Sequence, residues 1–481
     1  MWISRGWIVI RVVLGLGLGA AYGLGYPAQP RSVQSLPETV FRALADAGIP
    51  PDAVSVVVQE ASEPEPLLRW NGEVPRSPAS LMKLVTTYAA LHAFGPARTW
   101  ETRATGGPVR NGRLDGNLYL VGDGDPDLTL ERWGALLREL RIRGVRQIGG
   151  DVVLDESAFR LPAEDPDAFD HRGFRPYNTA PEALQVGFKA VTLALDADGG
   201  RVRVFPDFDF PALRIVNRVQ AVAGACPEDW KSGIERRVAA AGNGVQIVLQ
   251  GRFPASCGRK SLSFSVFSNE QYIGQAFRKI WRELGGALAG TVRPGNAPPG
   301  LPVLASTRSP PLAELMRQTN KYSNNLMART LFLDLGRNGD GPGTPAAAAE
   351  RVRALLASRG LVFPELVLEN GSGLSRRERI SADHLNALLL QAGREPTQAE
   401  FIASLALAGQ DGTVEQRKFG EPVEGRFHLK TGSLEGVSGI AGYGDTLSGR
   451  HICFVFLVNH PRAAEARPAQ DALLRWIGEM P

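Results

Sequence analysis

"SPASLMKL", residues 77–84, places a serine and a lysine three positions apart in an apolar, helix-forming run. The surrounding stretch "SPASLMKLVTTYAALHAFG" reads as one helix, with Ser77 as N-cap, Pro78 at the first helical position and Gly95 at the end. Positions i and i+3 share a helix face, so Ser80 Oγ and Lys83 Nζ come within hydrogen-bonding reach. A serine is a weak nucleophile until a base takes its proton. A lysine whose pKa is lowered by burial or by a neighbouring cation can be that base, and the helix N-terminus adds partial positive charge where an anion would develop. Taken alone, the pair reads more readily as two solvated surface residues, because a serine three positions before a lysine is common by chance.

Upstream, "PDAVSVVVQE" and "EPLLRWNG" read as the two strands of a hairpin. Between about residues 100 and 290 the texture changes to short alternating runs such as "GNLYLVGDG", "VRVFPDFDF" and "GVQIVLQGRF", broken by glycine and proline. A proline-rich connector, "RPGNAPPGLPVLASTRSPP", leads back to helical sequence. Near the C-terminus "GRFHLKTGSLEGVSGIAGYGD" and "RHICFVFLVNH" read as antiparallel strands and "AQDALLRWIGEM" as a closing helix. The pattern predicts an α/β (α+β) fold in which residues 36–100 and 300–481 form one discontinuous domain, with 101–290 a β-rich insertion.

Two further triplets belong with the serine and lysine. "KYSNNLM" sets Ser323-Asn324-Asn325 inside helical sequence, where asparagines favour a local turn. "FHLKTGSLEGV" sets Lys430-Thr431-Gly432 at a strand end, where glycine lets a ligand backbone approach closely. In the order SxxK, SxN, KTG, the chain resembles the penicillin-binding proteins and serine β-lactamases. The resemblance is closer to the S13-type low-molecular-mass penicillin-binding proteins, D-alanyl-D-alanine carboxypeptidases and endopeptidases that carry a large insertion between the first two motifs. It extends to "GDGDPDLT", "PYNTAPEALQVGFKAVTL", "NGSGLSR" and "KTGSLEGVSGIAGY".

That resemblance implies a transpeptidase-like fold, an antiparallel sheet flanked by helices. It implies Ser80 as acylated nucleophile, Lys83 as its base, Ser323 as proton relay and Asn325 as ligand of the substrate amide. Lys430 and Thr431 would hold the substrate carboxylate or polarise Ser323, and Lys430 would depress the pKa of Lys83. The backbone N–H groups of Ser80 and Ser433 would form the oxyanion hole beside Gly432. Arg376 and Asp155 are expected to line the pocket for the peptide side chain, as readers of diaminopimelate. The family usually has Asp at the position of Asn370. The implied partners are peptidoglycan peptides as substrate and β-lactams as inhibitors, with no cofactor. A β-lactamase would need an efficient deacylating base, and no Glu-x-x-x-Asn element follows the SxN motif. A cell-wall scaffolding module with a vestigial site is the alternative from another class.

Residues 1–28 combine Arg5 and Arg11 with an apolar, glycine-rich stretch and read as a secretory signal peptide, so export to the periplasm is expected. An uncleaved membrane anchor is the other reading. The "GLGLG" within it lacks the strand-loop-helix context of a dinucleotide site. Without the two arginines the net charge falls from +4 to +2, too little to argue for nucleic acid. Cys226 and Cys257 lie in turn-like segments and suit a disulfide, whereas Cys453 sits in an apolar run and reads as a buried thiol. The cysteine and histidine spacings match no zinc motif. Asp123, Asp125 and Asp127 are spaced like the start of a calcium loop, but Leu128 stands where its glycine belongs and Gly134 where its closing carboxylate belongs. The expectation there is a structural turn.

Overall fold

The run Val54-Ser55-Val56-Val57-Val58 is apolar at almost every position, as a strand covered on both faces must be. It forms β1 (Val54–Glu60), paired antiparallel with β2 (Leu68–Trp70) in the expected hairpin. The C-terminal half supplies β3 (Ala406–Leu407), β4 (Phe427–Leu434), β5 (Val437–Asp445) and β6 (His451–Asn459). Together they make one antiparallel sheet in the order β3-β4-β5-β6-β1-β2. The computed structural model describes residues 35–198, 200–339 and 341–481, so the signal-like residues 1–28 lie outside the described residues. No helix among the described residues is long and apolar enough to cross a membrane.

The alternation of side chains along β6 builds two cores. Ile452, Phe454, Phe456 and Val458 pack with α1 (Glu38–Asp46) and the closing helix, which spans Arg467–Gly478. Cys453, Val455 and Leu457 point the other way, into a larger helical layer. That layer comprises α2 (Met82–Phe94), α3 (Leu312–Lys321), α4 (Asn325–Leu335), α5 (Pro345–Ala357) and α6 (Ala382–Ala392). The closing helix is α7. The free thiol of Cys453 is buried.

At the centre of the helical layer lies α2, apolar on every side, with Met82 to Leu91 buried without interruption. Its start differs from the expected one. Ala79–Leu81 form a 3₁₀ turn ahead of the α-helix, and no side chain caps α2. Ser77 instead pairs through its backbone with the Asn459 side chain at the end of β6. Gly95 ends the helix with φ +75°, as expected.

Among the described residues, the region between α2 and α3 contains three sheets, in keeping with its β-rich texture, and also two long helices, Leu130–Ile142 and Asn269–Glu283, that the strand texture does not announce. Both helices carried readable start signals: the Thr129 cap and a Ser268–Gln271 capping box. The proline-rich connector is also more ordered than a linker. Val292–Pro294 and Val303–Arg308 are strands, the latter antiparallel to Glu101–Gly106. Both are edge strands, where proline is tolerated, and the second pairing joins the chain up to Arg308 to the same sheet.

Cys226 and Cys257 are joined, 31 residues apart in sequence and with Cα atoms 4.8 Å apart. A closure of that length contributes about 2–4 kcal/mol. Replacing both cysteines by serine is expected to lower hydrogen-exchange protection in the strands from Leu213 to Phe264 and to leave that of β6 unchanged.

Candidate active site

Ser80 sits in the 3₁₀ turn that leads into α2, one residue after Ala79, whose φ is +46°. A non-glycine residue there costs on the order of 1–3 kcal/mol and needs surroundings that hold it. Two glycines show how tightly it is held. A Cβ on Gly432 of β4 would lie 2.6 Å from the Pro78 carbonyl and 3.2 Å from Ser80 N, and one on Gly373 would collide with the Ala79 carbonyl.

The full burial of α2 carries Lys83 with it, to zero exposure. Its Nζ lies 2.9 Å from Ser80 Oγ, 2.7 Å from Asn325 Oδ1 and 2.5 Å from the Ser372 carbonyl. Asn325 Nδ2 donates to the Tyr177 carbonyl at 3.3 Å, which fixes the orientation of that amide. The Asn325 and Ser372 oxygens can only accept. A neutral amine therefore spends its two N–H bonds on them and turns its lone pair to the Ser80 hydroxyl. Burial holds the Lys83 pKa well below its ordinary value; the Lys430 charge lowers it further and Glu378 opposes both.

Ser323 occupies the break between α3 and α4 with φ +56°, and the turn expected there is made by Asn324, which caps α4 by accepting from Met327 N. Lys430, also fully buried, reaches from β4 to lie 3.0 Å from Ser323 Oγ and donates to the Thr431 carbonyl at 2.8 Å. Burial brings its pKa down to about 7. Thr431 Oγ1 lies 2.8 Å from Thr413 Oγ1, a hydroxyl pair that no sequence motif marked.

Ser80, Ser323, Asn325, Ser433 and Arg376 share one cavity of about 820 Å³. Arg376 donates to the Glu435 carbonyl at 2.9 Å and lies 4.8 Å over the Phe169 ring. Asp155 is not among the lining residues. It is buried at a strand end, accepting from Ser157 N at 3.0 Å and Ala297 N at 2.7 Å, which corrects the expectation for it. The inserted region's carboxylate in the cavity is Asp170, bonded to Tyr177 Oη at 2.6 Å and Asn178 Nδ2 at 2.7 Å. Asn370 is a loop fastener: its Oδ1 accepts from Ser372 N and Oγ, and its Nδ2 donates to the Leu374 carbonyl. The acidic turn is tied by arginines, Asp125 to Arg132 and Asp123 to Arg337.

Residues 36–480 match the profile described as the D-Ala-D-Ala carboxypeptidase 3 (S13) family. The chain belongs to that family. A D-alanyl-D-alanine carboxypeptidase of Actinomadura sp. (strain R39) is 30% identical over 480 residues, covering 96% of this chain and 88% of the relative. D-alanyl-D-alanine carboxypeptidase DacB of Haemophilus influenzae is 27% identical, with coverage of 84% and 85%. The crystal structure of penicillin binding protein 4 from the same organism superposes with a TM-score of 0.75 at 25% identity, covering 92% of this chain and 99% of the other. The chain is thus a serine-type D-Ala-D-Ala carboxypeptidase with a penicillin-binding-protein fold.

The Lys430 pKa predicts a stability signature. Between pH about 7 and 10.5 the unfolded chain holds a proton that native Lys430 lacks, so stability rises with pH across that window. Each unit of depression corresponds to ~1.4 kcal/mol. Lys430→Met is therefore expected to raise the melting temperature most at pH 6 and progressively less towards pH 10, in thermal melts against the parent protein.

Proposed function

We propose that the enzyme cleaves D-Ala-terminated peptidoglycan peptides through an acyl-enzyme on Ser80, with Lys83 as the general base. The observation that carries this reading is the Lys83 amine, buried and held between two obligate acceptors so that its lone pair faces Ser80 Oγ. Ser80 Oγ attacks the carbonyl carbon of the penultimate D-Ala and its proton passes to Lys83. The oxyanion forms against the N–H groups of Ser80 and Ser433. As the C–N bond breaks, the leaving amine takes a proton from Ser323, which Lys430 resupplies. Water then adds to the ester carbonyl and gives its proton back through Ser323 to Lys430, and as the C–O bond breaks Lys83 returns its proton to Ser80 Oγ.

The terminal carboxylate falls to the Thr431–Thr413 hydroxyl pair and the Lys430 charge. A D-Ala to diaminopimelate cross-link offers the same free carboxylate beside the scissile bond, so exo- and endo-cleavage use one machinery. The site supports export to the periplasm, where such substrates occur, and β-lactams act as slowly released acylating inhibitors. The buried lysines argue against a vestigial scaffold, because a retired site would gain stability by losing them.

Intact mass after brief exposure to benzylpenicillin is the direct test. A lasting adduct is expected on the parent protein and none on Ser80→Ala. Unmodified protein with destroyed drug would indicate a β-lactamase, and unmodified protein with intact drug a binding module.

Arg376 and Asp170 are proposed to read the charged end of the peptide's diamino acid, in the pairing expected for Arg376 and Asp155. Arg376→Ala and Asp170→Ala are each expected to cut kcat/KM at least about tenfold on peptides with a free diaminopimelate end. Acylation by benzylpenicillin, which lacks that end, should stay at the parental rate.

A further inference from the structure

A third charged side chain, Glu378, is buried to zero exposure and acts on Lys83. Its Oε1 accepts from three successive backbone N–H groups: Glu369 at 3.0 Å, Asn370 at 2.9 Å and Gly371 at 2.9 Å. The same loop turns its carbonyls the opposite way, onto α2. Gly371 O accepts from Thr86 Oγ1 at 2.6 Å, and Ser372 O accepts from Lys83 Nζ. The loop thus stands between the carboxylate and α2, with the N–H groups of residues 369–371 turned to the one and the carbonyls of residues 371 and 372 to the other. Gly373, the next residue, packs on the Ala79 carbonyl beside the nucleophile.

No hydrogen bond of standard geometry reaches Glu378 Oε2, and the Gly373 N–H also acts on the carboxylate. Other charges nearby are already matched or lie on the wrong side. Glu369 pairs with Arg377, Arg376 pairs with Glu435, and Asn370 is neutral. From β4 the facing charge is Lys430, and from α4 the facing group is the neutral Asn325. Burial pushes the Glu378 carboxyl above its ordinary range, the loop N–H groups favour its charged form, and that charge raises the Lys83 pKa.

We propose that Glu378 is a positioning residue for the general base: it pins the loop that presents Ser372 O to Lys83, and its negative charge opposes the repulsion that Lys430 exerts on that amine. The inference rests on the reading of Lys83 as base. Without the carboxylate, two like-charged amines face each other in a dry interior, and Lys83 loses its proton at lower pH. With it, one proton is retained between Lys83 and Lys430, ready for Ser323 and the leaving group.

The test is the pH profile of the second-order acylation rate by benzylpenicillin, with thermal melts on every variant. Glu378→Gln keeps an oxygen for the three N–H groups and removes the charge, and its melting temperature reports whether the loop is retained. The acid limb of the profile is expected to move to lower pH by about one unit. A limb that coincides with the parent's would overturn the proposal, since a purely structural role predicts that result. Glu378→Asp keeps the charge but shortens the reach by one methylene. Its limb is expected in the parental position with the rate down at least about tenfold; a parental rate there also overturns the proposal and keeps the test decisive if the Gln variant fails to fold. Failure of the parent protein to be acylated at all would instead count against the reading of Lys83 and Ser80.

Discussion

The Lys83 amine is held out of water by packing on every side of α2, and it finds three polar partners on three separate pieces of chain. Ser80 comes from the turn before its own helix, Asn325 from the first turn of α4 and Ser372 from a loop before α6. Burying an unmatched ammonium costs several kcal/mol. The local structure therefore has to bring those segments together to within a few tenths of an ångström. Much of the catalytic domain's architecture follows from that demand. The left-handed backbone at Ala79 aims Ser80, Gly373 lets the loop close on that turn, and Gly432 lets β4 close on it from the other side.

A second buried amine follows from the same logic. Lys430 alternates inward from β4, and burial alone brings its pKa to about 7. Two buried amines with lowered pKa values, with Ser323 hydrogen-bonded to one and Ser80 to the other, suit a reaction that must take a proton from one oxygen and deliver one to a departing nitrogen. The backbone contributes as well. Ser323 reaches Lys430 because it sits at positive φ between two helices, and the helix that resumes behind it is capped by Asn324, so the asparagines of the motif divide into one that shapes the turn and one that faces the amine.

The central sheet, α2 and the three motifs were legible because each rests on short-range chemistry. Alternating apolar residues made strands, an uninterrupted apolar run made the buried helix, and the serine, lysine and asparagine stood at fixed spacings. Glu378 was not legible. It lies in "LSRRERIS", where a glutamate among arginines looks solvated, and only the fold turns it onto the N–H groups of residues 369–371. Asp155 was misplaced for the same reason. Its side chain is taken up by Ser157 and Ala297, the second of them 142 residues away, while Asp170 reaches the cavity from a loop with no regular pattern. The helices within the inserted region had readable caps, but the surrounding strand texture outweighed them.

The inserted region does more than widen the cavity. Phe169, Asp170, Arg172 and Tyr177 line it opposite the motif residues, Glu164 pairs with Arg329 of α4, and the Tyr177 carbonyl accepts from Asn325. The last contact matters most for the chemistry. An asparagine amide is asymmetric, and only with its nitrogen turned to Tyr177 does its oxygen face Lys83 and leave the amine's lone pair for Ser80. The catalytic domain alone would supply the same residues without that constraint on the amide. One peptide carbonyl thereby links the Tyr177 segment, through Asn325, to the amine beside Ser80, which gives a physical reason for that segment to be tied to α4.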